Sequence, residues 1–490
     1  IITQNDPFIH KENPYDDFKD EILLPHKNST LGPALAVGDL NNDSREDYII
    51  GGAIAQAPGI FIQQEDGTFK QATVPIFEKD KFYEDLGIEI FDADNDGDQD
   101  IYIASGGNEF NEGSQGYEDR FYENKGTLNF ERNESAIPSI RISGLEVSTN
   151  DFDHDGDLDL FVGGRLSPKK YPYPSNSRIL ENQSSAGKIS FVDVTDEKNP
   201  ALKNIGLVTT SNWVDIDGDS WDDLIVSGEW MSLRFFKNNK GKSFKEVTDE
   251  VYRPEHRGWW YDIEKGDFDN DGDMDIIVGN LGLNYKYEAS VEKPFRIYLN
   301  DFDKNATYDI VLSYKSEDTE YPVRGRQCSS QQMPAIKEKF KNYNSFASAS
   351  LEQIYSTQML EESLKYEINS FESIYLQNNN GKFIAKPLPY QAQFSNINAI
   401  VVKDIDLDGN LDIVLGGNLY NAEVETPRND SSYGLWLKGD GNNGFSALQP
   451  RDSGLVMRGD IRNIKLIKVG DENHLIIAAN NQALQQIKIN

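Results

Sequence analysis

Seven times along the chain, oxygen-bearing side chains recur at alternate positions of a nine-residue stretch that closes on aspartate before a β-branched run. The cleanest copy is Asp267-Phe-Asp269-Asn-Asp271-Gly272-Asp273-Met-Asp275, followed by Ile276-Ile277-Val278-Gly279. Side chains at positions 1, 3 and 5, a glycine at 6 for a sharp turn, a backbone carbonyl at 7 and a carboxylate at 9 can wrap one hard cation. The opening follows EF-hand logic, but the loop is shorter and ends on Asp rather than on a Glu at position 12.

In each copy the chemistry predicts side-chain ligands at 1, 3, 5 and 9 and a carbonyl ligand at 7. The first copy is Asp39, Asn41, Asp43, Arg45 and Asp47, with Ser44 at the turn. The second is Asp92, Asp94, Asp96, Asp98 and Asp100, and the third Asp151, Asp153, Asp155, Asp157 and Asp159. Asp215, Asp217, Asp219, Trp221 and Asp223 form the fourth, with Ser220 at the turn. The fifth is quoted above. Asp301, Asp303, Asn305, Thr307 and Asp309 form the sixth, with Ala306 at the turn; Asp404, Asp406, Asp408, Asn410 and Asp412 form the seventh. So many carboxylates in so few residues repel one another unless a cation neutralises them. The expected ion is Ca²⁺, about seven per chain, held most weakly where serine or alanine replaces the turn glycine. Gly470-Asp471-Glu-Asn-His474 keeps the following strand without the ligands and reads as a metal-free eighth copy.

The formal charge of −34 fits this reading, because many of the 82 acidic residues sit in the loops. Its sign argues against nucleic acid as a partner, since phosphate recognition needs clustered Lys and Arg. Repetition overrides the several domains that 490 residues would otherwise suggest, because repeats share one core. The lone Cys328 forms no internal disulfide. Calcium sites of modest affinity would stay empty in a submicromolar cytosol, so the loops tilt the compartment toward the exterior. The sequence has no apolar run of bilayer-spanning length. Its first residues lack a basic and an apolar signal region, so a signal sequence is expected to have been removed.

Between the loops the chain alternates regularly. A strand enters each loop (Ala34–Val37, Ile88–Phe91, Asn398–Val402) and a second leaves it (Tyr48–Ile50, Ile101–Ile103, Leu160–Val162, Leu224–Val226, Ile413–Leu415). A third strand and hairpin follow, as in Arg120-Phe-Tyr122 into Phe130. Four short strands per unit describe a propeller blade, and the apolar second strands imply burial on both faces.

These loops, with Gly-Gly after the second strand, resemble the FG-GAP/VCBS repeats of the integrin α-subunit β-propeller. Gly32–Asp39, Gly163-Gly-Arg165, Gly228-Glu-Trp230, Gly279–Asn284 and Gln331-Gln-Met-Pro334 resemble bacterial surface proteins of the VCBS-repeat type, which accompany outer-membrane lipoprotein machinery in glycan-foraging bacteria. The resemblance implies an all-β β-propeller spanning 1–490, of seven blades, whose metals brace the blades. It also implies a place on the outer face of the outer membrane or secretion. Eight blades is the alternative, since eight second strands can be counted. The fifth and sixth loops lie close together and the sixth and seventh far apart; Leu351, Ile354, Tyr355 and Leu364 predict one or two helices within an insertion at 335–368.

Turns after the second strand share the face opposite the metal loops. They collect Asn108, Glu109, Arg165, Glu229, Trp230, Asn280, Asn284, Asn418 and Tyr420, groups that suit a polar ligand such as a sugar and that equally tolerate turn dihedrals. No catalytic motif emerges: five histidines lack ligand spacing, and no nucleophile elbow or Walker loop is present. The reading is a calcium-braced surface propeller that binds a glycan or a protein partner, within an outer-membrane nutrient-uptake or surface complex. The alternatives are a polysaccharide-degrading propeller enzyme, with His256, Arg324 and Arg326 as candidates, and a structural subunit. Glu21–Leu24 is expected to complete the last blade as its outer strand and clasp the ring.

Overall fold

The computed structural model describes residues 7–253 and 256–489. Among them are eight antiparallel sheets. Seven have innermost strands that neighbour one another in a closed cycle: Leu35–Gly38, Asp85–Phe91, Ser143–Asn150, Leu207–Val214, Asp262–Gly266, Ile397–Lys403, Ile461–Val469, and back to the first. This is a β-propeller, with the sheets running outward as four-stranded meanders; the fourth gains a fifth strand, Arg257–Trp259, on Asp223–Ser232, and the last has three strands. In the second sheet Ile88 pairs with Ile103, Ile101 with Tyr122, and Asn124 with Phe130. Second strands such as Asp100–Ser105 and Asp159–Leu166 are buried throughout, which is why they read as unbroken apolar runs.

The core is divided into wedges, one between each pair of neighbouring sheets. Ile49 and Ile60 of the first sheet meet Ile101, Ile103 and Tyr122 of the second. At the closure, Leu35, Tyr48 and Phe61 pack on Ile467, Ile476 and Ala478 of the last sheet, so burial of apolar surface closes the ring.

The eighth sheet is an insertion into the fifth blade. Asp275–Gly279 pairs with Ile374–Asn378, and the intervening chain folds as a separate sheet in the order Thr319–Pro322, Asp309–Ser316, Phe295–Asn300, Leu364–Ile368. The sixth metal loop therefore lies outside the ring, which explains its crowding against the fifth. Helices in this insertion span Arg326–Glu361 in five short pieces, not 335–368 in one or two. Leu364–Ile368 is a strand: Leu364 continues an apolar spacing set by Leu351 and Ile354 but pairs with Leu299.

The expected outer strand at Glu21–Leu24 does not form. Instead the segment from Phe8 to Thr30 crosses the face opposite the metal loops. The first contact is with the last blade: His10 N–H donates to Gln482 O, Leu484 N–H donates to Phe8 O, and Ile9 bridges Ala483. Leu23 and Leu24 then pack into an apolar cluster with Trp230, Trp259 and Phe295. The segment is polar at intervals because it crosses turns rather than a sheet edge, and this defeats a strand reading from Ile22-Leu23-Leu24 alone.

Candidate metal centres

All seven loops adopt one backbone. Position 4 is left-handed in each (Asn42, Asn95, His154, Gly218, Asn270, Lys304, Leu407), as is position 6 (Ser44, Gly97, Gly156, Ser220, Gly272, Ala306, Gly409). The glycine at 6 is explained by this φ, and three loops carry the conformation on serine or alanine at a steric cost. The position 1 carboxylate holds the turn: Asp92 Oδ1 accepts from Asp96 N–H at 3.1 Å and Oδ2 from Gly97 N–H at 2.8 Å. The same pair of bonds recurs at Asp39, Asp151, Asp215, Asp267, Asp301 and Asp404.

Position 9 is the buried anchor. Asp100 Oδ2 accepts from Ala93 N–H at 3.1 Å and Oδ1 from Asn124 N–H at 2.8 Å, so one carboxylate joins the loop to the third strand. Asp47, Asp159, Asp223, Asp275 and Asp412 repeat this arrangement. Burial, with help from loop carboxylates, pushes Asp47, Asp100, Asp223 and Asp309 up to about 7 and Asp159 to about 8. That is the electrostatic load a cation would relieve.

The donor set fits a hard divalent cation. Carboxylate oxygens converge within 4.8 Å of one another in Asp92/Asp94/Asp96, Asp151/Asp153/Asp159, Asp215/Asp217/Asp223, Asp267/Asp269/Asp271 and Asp301/Asp303/Asp309. At position 3 of three loops, Asp153, Asp269 and Asp303, a buried Oδ1 has no hydrogen-bond partner. Other loops already hold a basic group. Lys237 Nζ contacts Asp217 and lies 3.1 Å from Asp219, and Lys438 Nζ contacts Asp406 and lies 2.9 Å from Asp408. Arg45 contacts Asp43 in the first loop. These three loops differ from the rest in that a basic side chain already occupies oxygens of the donor set.

One recurring residue escaped the sequence reading. Asn124, Asn182, Asn238 and Asn378 end the third strands, and each amide donates to the position 2 carbonyl of the preceding blade's loop: Leu40, Ala93, Phe152 and Ile216, at 2.8–3.1 Å. With the bond from its own N–H to the position 9 Asp, each Asn ties two neighbouring metal loops. The signal was an Asn closing the third strand in each of these four blades.

The nine residues gathered on the opposite face engage the protein itself. Asn108 Nδ2 donates to Glu21 and Asp17 of the crossing segment, and Glu109 accepts from Asn108 N–H. Arg165 pairs with Glu229 at 2.6 Å; Glu229 also meets His26 Nε2 at 2.6 Å and Tyr171 OH, which accepts from Trp230 Nε1. Burial would raise Glu229, but Arg165 and His26 overcome it and hold the carboxyl at about 2. Asn280 caps Trp259 and Leu281 N–H groups, and Asn418 bonds Ser432 and Gly459. Asn284 reaches Phe394 O and Ser431, and Tyr420 lies under Arg428. Arg324, a lyase candidate, is buried in a pair with Glu423. Cys328 lies 3.0 Å from Glu425, and burial pushes its thiol up to about 11, away from nucleophilic use.

Inside the ring runs a channel of about 380 Å³ lined by the inner strands and, from the crossing segment, by His26. Glu89, Glu146, Asp262 and Glu264 line it around Lys465. Surrounding protein disfavours the Lys465 charge, but these four carboxylates outweigh it and hold the ammonium pKa up. Burial pushes Glu146 to about 8 and Glu89 and Glu264 to about 7.

A family model described as FG-GAP-like repeat matches residues 39–103, 92–162 and 215–278. No curated protein matches the sequence. Among solved structures the chain is similar to the V. cholerae biofilm matrix protein Bap1, at 10% identity, covering 95% of this chain and 89% of that one, with a TM-score of 0.34. It is also similar to the Dos1 propeller, at 9% identity, covering 95% and 93%, with a TM-score of 0.37. The chain is thus a β-propeller that carries FG-GAP-like repeats in three places, each spanning acidic loops able to hold metal ions.

Proposed function

We propose that this protein is a calcium-braced propeller that works as a non-catalytic binding module at the cell surface, presenting a rigid ring to a glycan or to a protein partner of an outer-membrane complex. The observation that carries the calcium assignment is the buried, unpartnered position 3 oxygen in three loops that share one backbone with the other four. Oxygen-only donors, flexible in number, suit Ca²⁺ better than Mg²⁺, which demands an octahedron and keeps its waters. The metal loops and the Asn ties lie on the same rim, so a bound ion stiffens the joint between blades rather than performing chemistry.

A glycan array and a surface-protein pull-down, each run with Ca²⁺ and with chelator, test the binding role. Calcium-dependent capture of a defined glycan or a single partner supports it. One observation favours a second reading, a polysaccharide-degrading enzyme: the channel gathers Glu89, Asp262 and Glu264 with Lys465 and with Glu146, whose carboxyl burial pushes up to about 8, into the range a general acid requires. New reducing or unsaturated ends after incubation with polysaccharide would replace the binding role by that one.

A further inference from the structure

A second kind of acidic group lies far from the loops, where the crossing segment meets the second blade. Glu12 comes from the segment, and Glu84 and Glu109 from the second blade. Glu84 is 1% exposed, and apart from a carboxyl–carboxylate hydrogen bond with Glu109 its oxygens have no partner. Glu12 Oε2 and Glu109 Oε1 are likewise buried and unpartnered. The Glu84 and Glu109 carboxylates converge: a Cβ on Gly107 would meet Glu109 Oε2 at 2.4 Å and Glu84 Oε2 at 2.5 Å, and Gly107 sits at φ +94°; Glu12 is close enough for its charge to raise Glu84. The remaining oxygens are held in place. Glu109 Oε2 accepts from Asn108 N–H at 2.8 Å, and Glu12 Oε1 accepts from Asn480 Nδ2 at 2.5 Å.

Two further unpartnered amides belong to the crossing segment. Asn13, beside Glu12 in sequence, has a buried, unpartnered Oδ1. Asn28 is wholly buried with both amide atoms unpartnered, and its N–H shares Asp17 Oδ1 with Asn108 Nδ2. Burial is the main cause of the raised carboxyls of Glu12, at about 8, and Glu109, at about 7; Glu109 and Asp460 raise Glu12 further while Asn480 and Arg462 lower it, and Asp17 raises Glu109 while a hydrogen bond with Glu84 lowers it. Among the described residues no Lys or Arg forms an ion pair with Glu84 or Glu109, while Glu12 lies 4.0 Å from His10 Nε2 and feels the charge of Arg462, so Glu84 and Glu109 lack the cationic partner that buried carboxylates ordinarily need.

We infer that Glu12, Glu84 and Glu109 form a separate site for one divalent cation, Ca²⁺, which staples the crossing segment to the second blade. This site differs from the loops in that its ligands come from distant parts of the chain, so binding joins the segment to the ring instead of shaping a turn. It does not depend on the loops holding metal.

The test uses the full chain. Crystals of the wild-type protein grown in CaCl₂ should show an anomalous peak bounded by Glu12, Glu84 and Glu109, distinct from any loop peaks. A map with loop peaks and none here overturns the inference while leaving the loops intact. Native mass spectrometry in Ca²⁺ should count one ion fewer in E84Q/E109Q, and also in the milder E12Q, than in wild type. An unchanged count in a variant with a wild-type circular dichroism spectrum would also overturn it. Repeating the count in Mg²⁺ should give no ion at this site; a retained Mg²⁺ ion overturns the assignment to calcium.

Discussion

His154, at position 4 of the third loop, stacks on Trp221, at position 7 of the fourth, with ring centroids 4.0 Å apart and planes 15° from parallel. Polar versions of the same contact link other neighbours: Asn42 donates to Asp98, and Asn95 donates to Asp157 at 2.5 Å. The loops thus form a chain of contacts from position 4 of one blade to position 7 of the next. A double-mutant cycle of H154A and W221A should give a coupling of about 0.5–1.5 kcal/mol in urea unfolding. Strict additivity would show that the loops stand alone.

Asn182 serves both its own loop and its neighbour's, its N–H donating to Asp159 and its side-chain amide to Ala93 O. N182A should lower stability by about 1–3 kcal/mol, since Ala93 O loses its donor in a buried setting. Urea midpoints for N182A and for the surface control N239A separate this tie from a generic Asn loss.

Glu229 joins the crossing segment to the ring through His26 and Arg165. With its folded pKa lowered to about 2, it contributes stability that is present above its ordinary value of 4.5 and is lost as pH falls from there toward 2. E229Q should cost about 3–5 kcal/mol at neutral pH by leaving Arg165 buried without its partner, and should flatten the acid limb of the stability curve. Removing residues 1–28 should be at least as costly, and equal melting of the truncated chain would mean the segment is not part of the fold.

Glu146 runs the other way. Its raised folded pKa, about 8, favours the folded state below the ordinary 4.5 and withdraws that stability as pH climbs toward 8. E146Q keeps an acceptor for Ser211 and should be neutral at pH 5 yet more stable than wild type at pH 8.5, by on the order of 1–2 kcal/mol once solvent in the channel is allowed for. Urea unfolding at the two pH values checks the crossover.

The repeat, the strands and the loop positions were legible because each depends on short-range spacing: alternate oxygens, a turn at 6, a β-branched strand after Asp275 or Asp159. The left-handed position 4 was hidden, because residues as different as His154 and Leu407 occupy it. The fate of Arg165, Glu229 and Trp230 was also hidden. Glu229 meets His26, 203 residues away, and Trp230 donates to Tyr171, 59 residues away, so turn residues that looked available to a ligand are occupied by the protein itself. The lysines at Asp217 and Asp406 come from third strands and only meet the loops once the hairpin closes.

That closure suggests a competition. K237M and K438M remove ammonium groups that occupy position 3 and 5 oxygens, and should raise Ca²⁺ affinity of the fourth and seventh loops by tenfold or so, about 1.4 kcal/mol. Isothermal titration of wild type against the double variant reads the difference; equal affinities would mean the lysines move aside freely.

The central claim is that calcium in the loops braces the ring, and thermal unfolding across a calcium titration tests it most directly. A ligand bound only by the folded state stabilises it by RT ln(1 + [L]/Kd) per site, about 2.7 kcal/mol at a hundredfold excess over Kd. The melting temperature should therefore rise steadily with Ca²⁺ and fall sharply in chelator. A melting temperature that is the same in chelator and in millimolar Ca²⁺ would contradict it.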